Sequence, residues 1–362
     1  MKITHLELET VTVNNYETWV FVLIHTDSNI TGLGELNPSA PRAACVATLK
    51  QMGDNLRGRD PRIINTIISD LKKDTLGLVE VRSLSAIEQC LWDILARSLQ
   101  VPLHTLFGGS NHDTIRLYAN ITRATHRLTP EAFAKSAKGA VADGFSAVKL
   151  APFVGPGPIE TTEHLEESLQ CVRSVRAAVG PDIEIMLDCY GLFTPQAALA
   201  IIEDLNDVGL YWFEEPVAND DWEGYLKVKE RCAVPLAGGE RYEFIQGFWP
   251  AFQREIFHIA MPDVGIVGGI GELHKVSTMA ESCGIRVAPH GPFGPVTLAA
   301  SAQVMAAHTG FLVLEYPWGL NTWRSELIDP PEHITNSHYH LSNQPGIGTV
   351  LNPKLLKEHR AK

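Results

Sequence analysis

The sequence predicts an α/β protein: an eight-stranded barrel of alternating strands and helices, preceded by a smaller α+β domain. The main observation is a repeat between Asp188 and Glu315, where a short apolar run ends six times in one ionisable residue. The six are IEIMLD (Asp188), LYWFE (Glu214), VPLAGGE (Glu240), IAMPD (Asp263), IRVAPH (His290) and FLVLE (Glu315). By subtraction the intervals are 26, 26, 23, 27 and 25 residues. Such a period marks a repeated supersecondary unit, and one strand, one helix and two loops fill it when a barrel takes roughly 250 residues. Helical patterns lie between these runs, and that alternation specifies a parallel sheet. The length, 362 residues with 45% hydrophobic composition, suits one barrel with an appendage.

In chain order, residues 1–36 predict a β-meander. THLELETVTV, TWVFVLIHT and ITGLGELNP alternate or are rich in β-branched residues, and DSN turns between the second and third. From Arg42 to Leu99 the apolar spacing becomes helical, with Ile87, Leu91, Ile94 and Leu95 on one face. PLHTLFGG then closes a first domain, expected over 1–112. Eight strands follow, at 115–122, 145–150, 183–188, 210–214, 234–238, 256–261, 285–289 and 311–315. The helix after the first starts at Thr129-Pro130 and stops at Gly144. The barrel is expected over 113–328, and the Pro-, Asn- and His-rich segment 329–362 as a return segment that packs elsewhere.

Composition excludes some functions. A formal charge of −12 argues against a nucleic-acid surface, which needs basic patches. It leaves room for an anionic substrate, because a bound cation reverses the local field. Six scattered cysteines without a CxxC pair read as reduced thiols. No run is long enough to span a bilayer, and MKITHLELETVTV alternates like a strand and lacks a signal-peptide core. A cytoplasmic enzyme without membrane or nucleic-acid partners is expected.

The carboxyl ends of barrel strands converge on one rim, so the six ionisable residues face a common centre. Asp188, Glu214 and Glu240 make an all-oxygen set of the kind a hard ion such as Mg²⁺ takes, whereas zinc more often recruits His or Cys. The alternative for Glu214, or its neighbour Glu215, is an ordinary rim salt bridge. Asp263 and His290 fall on adjacent strands, where a carboxylate fixes the imidazole tautomer and raises its basicity. Lys149 closes the second strand; it could neutralise a substrate carboxylate, serve as a base if its pKa is depressed, or bridge to Glu214 or Asp188. Glu315 could donate to a developing charge or orient a neighbour. Tyr190 offers a phenol at the same rim. Together these residues suit proton abstraction beside a carboxylate, with a metal stabilising the enediolate and a His or Lys as base.

At this point the chain resembles the enolase superfamily, and within it the mandelate racemase-like group. The resemblance rests on GLGELNP, SAIEQCLWDILAR with PLHTLFGG, VKL, IMLDCYG, WFEEP, AGGER, MPDVGIVGG, VAPHG and VLEYP. It implies a modified (β/α)₇β barrel, with a capping domain whose loops close over the mouth and which the C-terminal segment completes. It also implies Mg²⁺ ligands at Asp188, Glu214 and Glu240, a dyad of His290 with Asp263, an electrophilic Glu315, and a homo-oligomer. Racemising members carry Lys-x-Lys at the end of the second strand, whereas this sequence has Lys149-Leu150-Ala151. That departure points to an acid-sugar dehydratase, with Asp188-x-Tyr190 placing a further proton-transfer group. A cycloisomerase or lactonising enzyme, or a racemase or epimerase, is the alternative. Specificity is expected in Val13–Trp19, Pro38–Arg42 and Phe153–Glu160, with Arg42 as the candidate for a distal carboxylate.

Overall fold

The computed structural model describes residues 1–73, 77–153 and 162–361. The first domain starts with the expected meander. Strands β1 (Ile3–Thr12), β2 (Thr18–Thr26) and β3 (Thr31–Leu36) pair antiparallel in sequence order. The helical stretch is broken into α1 (Arg42–Leu56), α2 (Ile64–Leu71) and α3 (Leu78–Ser98). The first break contains Pro61, which has no N–H to give a continuing helix. Helix α3 packs directly on β3, and the GLGE motif is what allows it. A Cβ at Gly32 would lie 2.2 Å from the Cys90 carbonyl oxygen, and one at Gly34 2.3 Å from that of Ala86. As expected of one buried face, Ile87, Leu91 and Ile94 are fully buried there and Leu95 half-buried.

The second unit alternates without exception among the described residues. It runs β4 (Thr114–Asn120), α4 (Pro130–Ala142), β5 (Ala147–Leu150), α5 (Thr162–Val179), β6 (Glu184–Asp188), α6 (Pro195–Asp204), β7 (Trp212–Glu214) and α7 (Trp222–Arg231). It continues β8 (Leu236–Gly238), α8 (Phe244–Gln253), β9 (Ile259–Ala260), α9 (Ile270–Ser282), β10 (Arg286–Val287), α10 (Pro295–Ala306) and β11 (Leu314–Tyr316). Neighbouring strands from β4 to β10 pair in parallel, and β11 pairs with β4. The ring closes where Leu312 N–H donates to the Val287 carbonyl at 2.8 Å. This is the (β/α)₇β barrel. The later strands are shorter than the apolar runs suggest, although pairing carries on past their ends, as in Met261 N–H to Gly238 O at 2.9 Å. Thr129 caps α4 through Ala132 N–H, and Gly144 follows its end at φ 92°.

The tail forms β12 (Ile328–Asp329), β13 (Ile334–Thr335), β14 (His338–His340), β15 (Val350–Leu351) and α11 (Pro353–His359). Strand β14 pairs with the start of β4, and beyond α11 Ala361 N–H donates to Thr10 O of β1 at 2.8 Å. Two buried carboxylates join the first unit to the barrel. Glu35 accepts from Gly294, Val296 and Thr297 N–H at the start of α10, and Glu88 from Ile270 and Gly271 N–H at the start of α9. Helix N-termini present such unpaired donors together with a positive dipole end.

Candidate active site

The barrel interior positions the site by strand periodicity. Tyr118, Ala147, Met186, Trp212, Ala237, Ile259, Ala288 and Val313, one from each strand or its flank, pack in one buried cluster. Alternate residues of a strand face the same side, so the residue two further on also points inward, nearer the carboxyl end. Those residues are Asn120, Lys149, Asp188, Glu214, His290 and Glu315. Glu240 lies three residues after Ala237, because Gly239 at φ 99° breaks the alternation and turns the next side chain in.

Ligand oxygens of Asp188, Glu214 and Glu240 all lie within 4.8 Å of one another, and all three residues are buried. Lys149 Nζ donates to Glu214 Oε1 at 2.8 Å, sits 2.9 Å from Glu315 Oε1 and lies 3.9 Å from Asp188 Oδ2. Trp212 Nε1–H donates to the other oxygen of Glu214, and Tyr190 N–H to Asp188. Across the lumen, His290 Nδ1 is 2.7 Å from Asp263 Oδ2, which also accepts from Asn37 Nδ2 of the first unit at 3.1 Å. His290 Nε2 faces the acids, 3.4 Å from Glu240 and 3.8 Å from Glu315. Glu315 accepts from Asn120 Nδ2 and from Gly291 N–H.

Charge in this lumen is unbalanced. Burial pushes the Asp188 carboxyl up to about 7, only partly opposed by Lys149, and pushes Glu214 well above its usual range with Asp188 beside it. Burial also pushes Glu215 up to about 8, and neither of its oxygens has a hydrogen-bond partner among the described residues. Burial would lower the pKa of Lys149, but Glu214 and Glu315 outweigh it and keep the ammonium charged. Of the roles expected for Lys149, the bridge to Glu214 is present, at 2.8 Å. Burial would raise Glu315, but Lys149 and His290 outweigh it and hold its carboxyl down to about 2. For His290 burial acts downward, yet Glu240, Glu315 and Asp263 raise it to about 10. An all-oxygen, buried, mutually repelling set of donors short of positive charge fits a hard divalent cation.

Tyr190 and His290 line the mouth above these groups, and Tyr190 takes up φ 51° there. Of the expected specificity segments, Val13–Trp19 and Pro38–Arg42 border the mouth through Asn14, Tyr16, Glu17, Pro38 and Ser39. In the third, Val154–Glu160 lies outside the described residues. Arg42 lines a hollow that shares Asn15, Tyr16, Glu17 and Pro38 with the outer mouth, and is not among the residues around His290. Asn37, Asn120, Arg82, Arg123 and Arg241 are site residues that sequence reasoning did not single out. Asn37 stands inside GLGELNP, where a polar side chain after an apolar strand was the available signal. Asn120 follows the same alternation as the strand-end charges but is neutral and so does not stand out, and the three arginines lie at positions without any repeating pattern.

Cap, barrel, clustered acids and a facing imidazole define a capped-barrel enzyme. The chain belongs to the enolase superfamily, in its mandelate racemase-like group. Residues 3–108 match the mandelate racemase / muconate lactonizing enzyme N-terminal domain, and residues 132–355 the enolase C-terminal domain-like family. It is 30% identical to the D-gluconate dehydratase of Thermoproteus tenax, an alignment covering 98% of this chain and 74% of that relative. It is also 30% identical to the D-galactarolactone cycloisomerase of Agrobacterium fabrum, covering 94% and 91%. A crystal structure from Mesorhizobium loti superposes with a TM-score of 0.93 at 29% identity, over 100% of this chain and 99% of that one.

Proposed function

We propose that this chain is a Mg²⁺-dependent acid-sugar dehydratase that converts a sugar carboxylate into a 2-keto-3-deoxy acid. The observation that carries the reading is the convergence of Asp188, Glu214 and Glu240 within 4.8 Å, opposite the His290–Asp263 pair. Ala151, buried where racemising members carry a second lysine, leaves His290 as the base at the lumen. The D-gluconate dehydratase among the relatives supports the same reaction class.

Asp188, Glu214 and Glu240 would hold the ion. When bound, it would supply positive charge against the developing charge on the substrate carboxylate and offset the acids that keep His290 protonated. Asp263 and Asn37 fix the ring so that Nε2 faces the substrate. His290 Nε2 takes the proton from carbon 2. The 3-hydroxyl leaves as water with a proton from His290 or from Tyr190, and the enol tautomerises to the keto acid. Lys149 acts through its neighbours, fixing Glu214 and Glu315 rather than exchanging protons. Asn120 and Gly291 N–H keep Glu315 oriented as an acceptor.

The test is keto-acid formation from a library of sugar acids with Mg²⁺, using wild type and His290→Asn. Wild type should turn over at least one acid, and the variant should lose at least about a thousandfold in kcat while keeping its response to Mg²⁺. A variant with substantial activity sinks the assignment of the base. The cycloisomerase relative favours one other reading, interconversion of lactones through the same proton abstraction. Mass spectrometry separates the two, because a cycloisomerase changes its substrate without loss of water.

A further inference from the structure

Among the described residues, two groups of three side chains gather ligand atoms within 4.8 Å of one another. One is Asp188, Glu214 and Glu240. The other is His5, Glu7 and His25, in the first unit, none of which borders the mouth. This second group follows from strand register. His5 on β1 stands directly opposite His25 on β2, and Glu7, two residues further along β1, falls on the same face as His5. Along β2, Val20, Val22 and Ile24 pack with the helices of the first unit, while Trp19, Phe21 and Leu23 pack with the barrel core. His25 continues the second set where that face reaches solvent: its side chain is 25% exposed, that of Glu7 48%, and His5 is exposed as well.

The hydrogen bonds around the two rings decide which nitrogens can take an ion. The Thr4 hydroxyl donates its one proton to His25 O at 3.1 Å, so towards His5 Nδ1, 3.0 Å away, it can only accept. In the neutral ring His5 therefore carries its proton on Nδ1 and presents a lone pair at Nε2. His25 Nε2 lies 2.9 Å from Glu7 Oε2, and His25 Nδ1 lies 3.0 Å from Thr31 Oγ1. Nε2–H donates to Glu7, and a cation can take the place of that proton, which moves to Nδ1, where the Thr31 hydroxyl accepts it. Both imidazoles then hold a hydroxyl at Nδ1, the arrangement that orients metal-binding histidines. The rings stack at 4.3 Å and 10° from parallel. A turn about χ2, a broad torsion in histidine, aims both Nε2 lone pairs at one ion.

We propose that His5, Glu7 and His25 form a second divalent-cation site, for a transition ion such as Zn²⁺. Donor chemistry separates it from the set in the barrel: imidazole nitrogen suits Zn²⁺, Ni²⁺ and Cu²⁺, whereas an all-oxygen set suits Mg²⁺. Two nitrogens and a carboxylate oxygen leave the fourth position of a tetrahedral ion to water. The ion joins β1 to β2, and the site depends on neither the dehydratase reading nor a bound substrate.

The experiment titrates Zn²⁺ into the full chain by isothermal calorimetry, with Mg²⁺ in excess, in wild type, His5→Ala, His25→Ala and His340→Ala. His340 belongs to a second stacked histidine pair, with His333, and serves as the control. Wild type and His340→Ala should take up one Zn²⁺ per chain that His5→Ala and His25→Ala each bind at least about tenfold more weakly. Because His5 is exposed, its removal leaves the fold intact, which far-UV circular dichroism checks. Retention of wild-type affinity in either His5→Ala or His25→Ala overturns the proposal, as does a wild type that takes up no Zn²⁺. An equal loss in His340→Ala also overturns it, because histidine content rather than this cluster would then be the source.

Discussion

Removing divalent ions should destabilise this protein, and more so above neutral pH. Asp188, Glu214 and Glu240 are 2%, 0% and 7% exposed. Burial lifts Asp188 from 3.8 to about 7, roughly three units, or about 4 kcal/mol at 1.36 kcal/mol per unit, that the chelated fold forgoes once the group must ionise. Because the folded pKa lies above the unfolded one, the native chain binds more protons between about pH 4 and about pH 7. Its ion-free stability therefore falls as pH rises through that window. A cation at a hundred times its dissociation constant returns about 2.7 kcal/mol. With an unfolding entropy of about 2.1 cal/mol/K per residue over 362 residues, that is a rise in Tm of about 3–4 °C. Thermal unfolding followed by circular dichroism, with EDTA or with excess Mg²⁺ at about pH 5 and about pH 8, measures it. Equal melting temperatures with and without the ion at the higher pH would refute the shared-ion reasoning, as would a chelated protein that gains stability across the window.

Two substitutions probe the groups around the acids. Lys149→Met removes the ammonium that lies within 4 Å of Asp188, Glu214 and Glu315, and should cost about 3–5 kcal/mol by leaving buried charge unpaired; a Tm within about 1 °C of wild type would show that the lysine is dispensable to the fold. Asn37→Ala removes a 3.1 Å hydrogen bond to Asp263 without touching the substrate space, so kcat should fall about tenfold with KM little changed. An unaltered kcat there means that Asp263 needs no help from the first unit.

The strand ends were legible because the barrel writes its chemistry into a period. Each inward functional side chain follows an inward apolar one, and an isolated charge after an apolar run stands out even where the strand is only two residues long, as in β9 and β10. Glu240 was found in the same way, although only the φ of Gly239 explains why it faces the lumen. What stayed hidden, apart from the uncharged Asn120, has no period. Arg123, on the loop after β4, and Glu17, on the loop before β2, are 106 residues apart and become partners only when the first unit covers the mouth. Arg42 lines a hollow beside the outer mouth, and which side of that mouth a cation takes is a property of packing rather than of sequence. Sequence leaves the roles of Lys149 and Glu315 open for a related reason. Whether a buried amine is a base or a charged strut depends on how many carboxylates surround it, and a sequence does not count neighbours across a barrel.

The first unit is therefore more than a cover. Glu35 holds the start of α10, the helix entered directly from the His290 loop, and Asn37, two residues further along the same chain, holds Asp263. Docking of the first unit and orientation of the imidazole are thus two ends of one short segment. The outer mouth residue Glu17 precedes β2, which pairs with β3, the strand that carries Glu35. Because Glu35 and Asn37 are fixed by backbone donors and by a buried carboxylate, a substitution that reshapes the 13–19 loop can change which acid is accepted while the imidazole stays in place. Substitutions at Glu35 or Asn37 should instead lower the rate for every substrate alike, so these two positions and the 13–19 loop separate turnover from selectivity.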